Sequence, residues 1–100
     1  MEVYITKEDN ATVAKLVGRL DTAVSQDVAK ALEPLADAAD GTIIIDCSEL
    51  SYISSSGLRI FLTIRKESAA KGGHVIVRSL PDSIRQVFMM TGFLNLFEIH

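Results

Sequence analysis

The sequence predicts one α/β domain on a mixed sheet of four to five strands, with the helices mainly on one face. Three observations carry this. Apolar residues alternate with period two at the start of the chain. Helical spacing recurs three times after residue 20, and the unbroken apolar run Thr42-Ile43-Ile44-Ile45 lies between two of those stretches. The order is β-β-α-β-α-β-α-β. Crossovers through helices imply parallel neighbours, and the opening hairpin supplies an antiparallel pair.

Val3 and Ile5 alternate with Glu2, Tyr4 and Thr6, predicting a short strand with one apolar face. Lys7 to Asn10 is a polar turn, and Ala11 to Leu20 is the second strand. Gly18 inside that strand points to a bulge or a close approach. Asp21-Thr22 can cap the first helix. Val24, Val28, Leu32, Leu35 and Ala39 form one stripe of that helix over about 22–39, and Pro34 predicts a kink or break within it. Asp40-Gly41 turns the chain into the central strand, 42–45. The next helix, from Leu58 to Lys71, has apolar positions at Leu58, Phe61, Leu62 and Ala69, and Gly72-Gly73 offers a left-handed stop and no further purpose. A strand over His74–Arg78 leads past Pro81 into a helix with Ile84, Val87, Phe88 and Thr91 inward, ended by Gly92. Leu96 to Ile99 is a last edge strand. Met89-Met90 is expected to pack in the core or at the helix end.

One hundred residues leave room for a single core, so 1–100 is one domain. The net charge of -3, with ten scattered basic residues, argues against a nucleic-acid-binding face. No apolar run approaches the roughly 18 residues of a membrane span, and no signal-peptide pattern opens the chain. A single cysteine, Cys47, forms no internal disulfide and is expected to be a small, partly buried residue. A cytoplasmic protein is the expectation. Cys47, His74 and His100 lack metal-ligand spacing, so neither a metal nor another cofactor is expected. Gly-x-Ser-x-Gly is absent, and the only histidines are an edge residue and the terminal one, which argues against a serine enzyme.

The stretch that organises the chain is Asp46 to Arg59, with Ser54-Ser55-Ser56-Gly57 between the central strand and its helix. A hydroxyl there accepts from free backbone amides, and the helix dipole favours a phosphate at the same place. One serine suffices for a cap. Three leave open both a cap and a phosphorylation switch.

Gly18-Arg19-Leu20-Asp21, Leu50 to Leu58, and Met90-Thr91-Gly92-Phe93 resemble the STAS domain family, and within it the anti-sigma factor antagonists of the SpoIIAA type, over essentially the whole chain. That resemblance implies partner switching. Such a protein binds an anti-sigma factor that is also a serine kinase, thereby freeing a sigma factor; phosphorylation ends the binding and a PP2C-type phosphatase restores it. Matched through Gly57, Ser55 falls at the acceptor position, with Ser54 and Ser56 as alternatives. Asp21, Thr22, Ser54, Ser55, Ser56, Gly57 and Arg59 are the implied partner surface. The sequence departs from the family at Ser54, where aspartate is common. The second reading is a STAS interaction subunit of a transport or sensory complex that is never phosphorylated. Arg59, Thr63 and Lys66 share a polar helix face, read as solvated or as a partner surface. The free protein is expected to be a monomer or weak dimer.

Overall fold

The computed structural model describes residues Met1–His100. Its strands are β1 (Glu2–Glu8), β2 (Ala11–Leu20), β3 (Thr42–Ile53), β4 (His74–Arg78) and β5 (Glu98–Ile99). They form one sheet in the order β1-β2-β3-β4-β5. β1 is antiparallel to β2, and every later pair is parallel. The helices are α1 (Ser25–Ala31), α2 (Ser55–Ala70) and α3 (Asp82–Met90), with 3-10 turns at Glu33–Ala38 and Phe93–Asn95. Each crossover steps to the next strand in the same direction. Right-handed connections therefore lay all three helices on one face. One apolar cluster of 21 buried residues joins Val28 of α1, Phe61 of α2 and Phe88 of α3 to Leu16, Ile45 and Val77 of the sheet.

Pro34 breaks the predicted 22–39 helix, because proline cannot donate to the helical ladder and its ring crowds the carbonyl four residues back. α1 stops at Ala31, and a 3-10 turn with Pro34 at its start takes over. The apolar stripe survives the break, since Leu32, Leu35 and Ala39 all stay buried. In α2, Leu58, Phe61 and Ile64 face inward, but Ala69 is exposed and Ser68 takes the buried place. The Ser68 hydroxyl donates to the Ala39 carbonyl at 3.1 Å, which makes that burial tolerable. Thr91 and the two methionines are also corrections. Met89 and Met90 are 61% and 79% exposed, and Thr91 faces solvent. The inner places go instead to Phe93 and Phe97, which join Phe61 and Phe88 in edge-on and tilted contacts with centroids 5.6–6.3 Å apart.

Gly72 has φ +75°, the expected left-handed stop. Gly73, expected to serve only that stop, has a second role. A Cβ there would sit 2.0 Å from the Ala39 carbonyl oxygen and 2.6 Å from that of Gly41. Only glycine lets the end of α2 pass so close to the start of β3.

β1 is an edge strand, and its predicted apolar face is only half realised. Val3 packs against the core, while Ile5 is 36% exposed and lines an open cleft with Pro34, Asp37 and Ala38 of the 3-10 turn. The face away from the helices carries charge. Arg78 of β4 spans β3 and β2 to reach Glu8 of β1 with two hydrogen bonds of 3.0 and 3.1 Å, and it touches Asp46 at 3.3 Å on the way. Val13, beneath this span on the same face, is only 3% exposed. Hydrogen bonding to Arg78 holds Glu8 below the usual carboxylate range. Burial pushes Asp46 up, but bonds from Ser48 and Arg78 outweigh it and leave it lowered.

Both carboxylates are thus depressed, so the unfolded chain takes up protons first as pH falls. Their contribution is present above the unfolded value near 4 and is lost as pH drops through the folded values. Urea midpoints measured from about pH 6 down to about pH 3 should fall, and Arg78→Met should flatten that slope. An equal slope in both proteins would remove the network from the account.

Candidate functional site

The site is built where β2 and β3 end side by side. β3 is much longer than the apolar run 42–45 predicted, reaching Ile53. Register shifts fall between Lys15 and Val17 and between Gly18 and Arg19, each placing an extra residue in β3. Two bulges convert the apolar period from two to three, so Cys47, Leu50 and Ile53 all point into the core. Gly18, at φ +107°, lies at the second shift, as its place in the strand predicted. Beside it Arg19 stacks on Tyr52, 4.4 Å from the ring centroid. Cys47 is wholly buried rather than partly so, and burial pushes its thiol up to about 12.

β3 delivers the three serines just past the C-terminal end of the central strand, and each has a different environment. The Ser54 amide donates to the Leu20 carbonyl at 2.9 Å, tying the end of β3 to the end of β2. Its hydroxyl accepts from the Gly57 amide at 3.2 Å, so Ser54 is the N-cap of α2 and is 9% exposed. Ser55, the first residue of α2, is exposed and has no side-chain partner within the chain. Ser56 is half-buried. Gly57 is buried, and a Cβ there would stand 2.7 Å from Leu20 Cγ and 2.9 Å from Ile53 Cγ1. The missing side chain lets the first turn of α2 lie directly on the strand ends. That turn is held from below by apolar contact and from the front by the Ser54 cap, which leaves the Ser55 hydroxyl outward beside unpaired amides.

Asp21 follows Leu20 directly, so the bond from Ser54 brings the two segments together. Asp21 and Thr22 do not cap α1, which starts only at Ser25 with Val24 as an N-cap lacking a side-chain bond; the Asp21 carboxylate instead accepts from the Val24 amide at 3.2 Å in the turn before the helix. Thr22, Ser56 and Arg59 line one groove between α1 and α2, together with Thr63. Lys66 is exposed and lies outside it. Asp21, Thr22, Ser55, Ser56 and Arg59 gather at one end of the sheet, but Ser54 and Gly57 are buried there and offer a partner no side chain, which corrects their place in the predicted surface. The groove itself was missed, because its two walls are separated in sequence by the whole of β3.

The other chemical groups lie elsewhere. His74 pairs with Glu98 at 3.2 Å at the start of β4, the opposite end of the parallel strands from Ser54, and His100 also pairs with Glu98. Neither imidazole bonds a serine hydroxyl. No three His, Cys, Asp or Glu side chains converge as a metal site. No helix is long and apolar enough to cross a membrane.

Comparison with known proteins gives a consistent result. The chain is 29% identical over 99 residues to BtrV of Bordetella bronchiseptica, named as a candidate anti-sigma factor antagonist, covering 99% of this chain and 85% of that one. It is 28% identical over 85 residues to the anti-sigma-B factor antagonist of Listeria monocytogenes, covering 84% of this chain and 74% of that protein. Among solved structures, the fold matches a candidate anti-sigma factor antagonist from Thermotoga maritima with a TM-score of 0.87 at 17% identity, over 97% of this chain and 84% of that one. It matches unphosphorylated SpoIIAA with a TM-score of 0.74 at 21% identity, over 99% and 87%. The model of the STAS domain matches residues 2–100, and the chain belongs to the STAS domain family.

Proposed function

We propose that this protein is an anti-sigma factor antagonist. It binds an anti-sigma factor that is also a serine kinase, frees a sigma factor, and is switched off by phosphorylation of Ser55. A PP2C-type phosphatase reverses the modification. The observation that carries the reading is the division of labour in the turn: Ser54 is buried as the cap, which leaves Ser55 exposed at the first turn of α2. The names of the relatives support the partner class.

A phosphate on Ser55 adds nearly two negative charges without disturbing the core, because the helix start tolerates an anion. In a desolvated interface the same charge opposes binding. Electrostatic exclusion, with the fold unchanged, is the mechanism. Incubation with the anti-sigma kinase and ATP, followed by mass spectrometric mapping, should place phosphate on Ser55. Phosphate on Ser54 or Ser56 alone would overturn the assignment.

A second reading keeps the binding and drops the switch, as a phosphorylation-independent subunit of a transport or sensory complex. Ser54 favours it, since the carboxylate common at that position is missing. No phosphate on any serine, with the complex still formed, is the outcome that selects it.

A further inference from the structure

The groove between α1, its following 3-10 turn and α2 has a volume of about 620 Å3. Leu32, Leu35 and Ile64 lie beneath its floor and are already buried, so the accessible apolar lining is Ala29, Ala36 and the half-buried Ile60. Ala29 and Ala36 keep one wall low. Charge sits at its rims, with Arg59 near the serine turn, and Glu67 and Glu33 farther along. None of these three takes part in an ion pair of the free chain. Arg59 and Glu67 are eight residues apart on α2, about 12 Å at 1.5 Å per residue. The groove therefore has a cationic end at Arg59 and, two helical turns away, an end where Glu33 and Glu67 outnumber the Lys71 ammonium, which is held on the Ala36 carbonyl at 2.8 Å.

We propose that the groove seats a short amphipathic helix of the anti-sigma partner. A carboxylate of that helix meets Arg59, a cation lies by Glu33 and Glu67, and small apolar residues between them cover Ala29, Ala36 and Ile60, the apolar lining that is still accessible. The proposal rests on the anti-sigma antagonist reading and extends it. Three properties select this occupant. The charge pattern is bipolar along the groove, so it complements a segment with opposite charges about two turns apart. Both walls are helical and offer no free strand edge, which disfavours an added strand. Thr22 and Ser56, at the mouth, already belong to the surface assigned to the partner, so the two are continuous.

This placement also gives the switch a specific target. Ser55 and Arg59 are one turn apart on α2, the i,i+4 relation in which side chains meet. A phosphate on Ser55 is therefore within reach of Arg59 and pairs with it through charge-assisted hydrogen bonds. The cation is withdrawn from the partner's carboxylate, and like charges are set against each other at the mouth of the groove.

The test is calorimetric binding of the anti-sigma kinase that modifies Ser55, using the full-length chain. Ala29→Trp fills the groove from an exposed helix position and should weaken binding at least about tenfold, with an unchanged melting temperature. Lys30→Trp, next to it but outside the groove, should bind like the parent. Equal affinities for the two tryptophan variants would overturn the groove while leaving the antagonist reading intact, provided Ser55→Asp still weakens binding at least about tenfold. If the parent protein binds no kinase, both fall. For the switch, Arg59→Gln should weaken the complex about tenfold, and adding Ser55→Asp to it should cost much less than Ser55→Asp does in the parent. Independent, multiplicative losses would rule out withdrawal of Arg59.

Discussion

Ser55→Asp is expected to weaken binding of the anti-sigma kinase by at least about tenfold, the equivalent of 1.4 kcal/mol, while Ser55→Ala binds like the parent. The two variants should melt within a few degrees of each other. The reason lies in the separate duties of adjacent serines. Ser54 caps α2 through the Gly57 amide, and neither variant touches that bond. Ser55 makes no side-chain bond, so its removal costs the fold little. A carboxylate at the helix start is even favourable, by about 0.3–1 kcal/mol. The same charge in an interface must be desolvated or left facing like charge, which costs several kcal/mol. Aspartate carries less charge than phosphate, so tenfold is a lower bound. Equal binding by the two variants, measured by calorimetry, would sink the electrostatic mechanism.

Gly73→Ala is expected to destabilise the protein by roughly 3 kcal/mol, at the upper end of overpacking costs. The new methyl would meet two backbone carbonyls, those of Ala39 and Gly41, and the Ser68 hydroxyl at 2.8 Å. Backbone cannot swing away as the tip of a side chain can. Relief requires moving the end of α2 from the start of β3, and two bonds are at stake there. The Gly73 amide donates to the Ser68 carbonyl at 2.8 Å, and the His74 amide to the Gly41 carbonyl at 3.0 Å. Against a typical total stability of about 5–15 kcal/mol, that loss is large. At roughly 4–8 °C per kcal/mol for a domain of this size, the melting temperature should drop by more than about 10 °C. Gly72→Ala, with nothing within 4 Å of its Cβ but φ at +75°, should cost less, about 1 kcal/mol. A reversed order of the two variants in thermal melts would show that the crowding at Gly73 is easily relieved.

The sheet, its hairpin and the one-sided helix layer were legible because each rests on a local pattern. Alternation at Val3 and Ile5, the Ile43–Ile45 run and the α1 stripe are statements about short windows, and Pro34 breaks a helix wherever it stands. The family was legible for a similar reason, since three short motifs recur in order. β3 was underread for a physical reason. Its bulges give a spacing of three at Cys47, Leu50 and Ile53, which matches no strand template, and a bulge depends on the partner strand. Ala69 and Ser68 were exchanged because helical spacing gives the stripe, while the carbonyl of Ala39 decides which small residue lies beneath it.

The sequence alone determined the kinds of element, their order, and the presence of hydroxyls at a helix start. Tertiary structure decided which hydroxyl is the cap and which is free. It also joined Asp21 and Thr22 to the serine turn and made one groove from α1 and α2. Those outcomes depend on contacts between segments far apart in the chain, such as the Ser54 amide on the Leu20 carbonyl. Local propensity is carried by the residues themselves, whereas burial and proximity exist only once distant strands have paired.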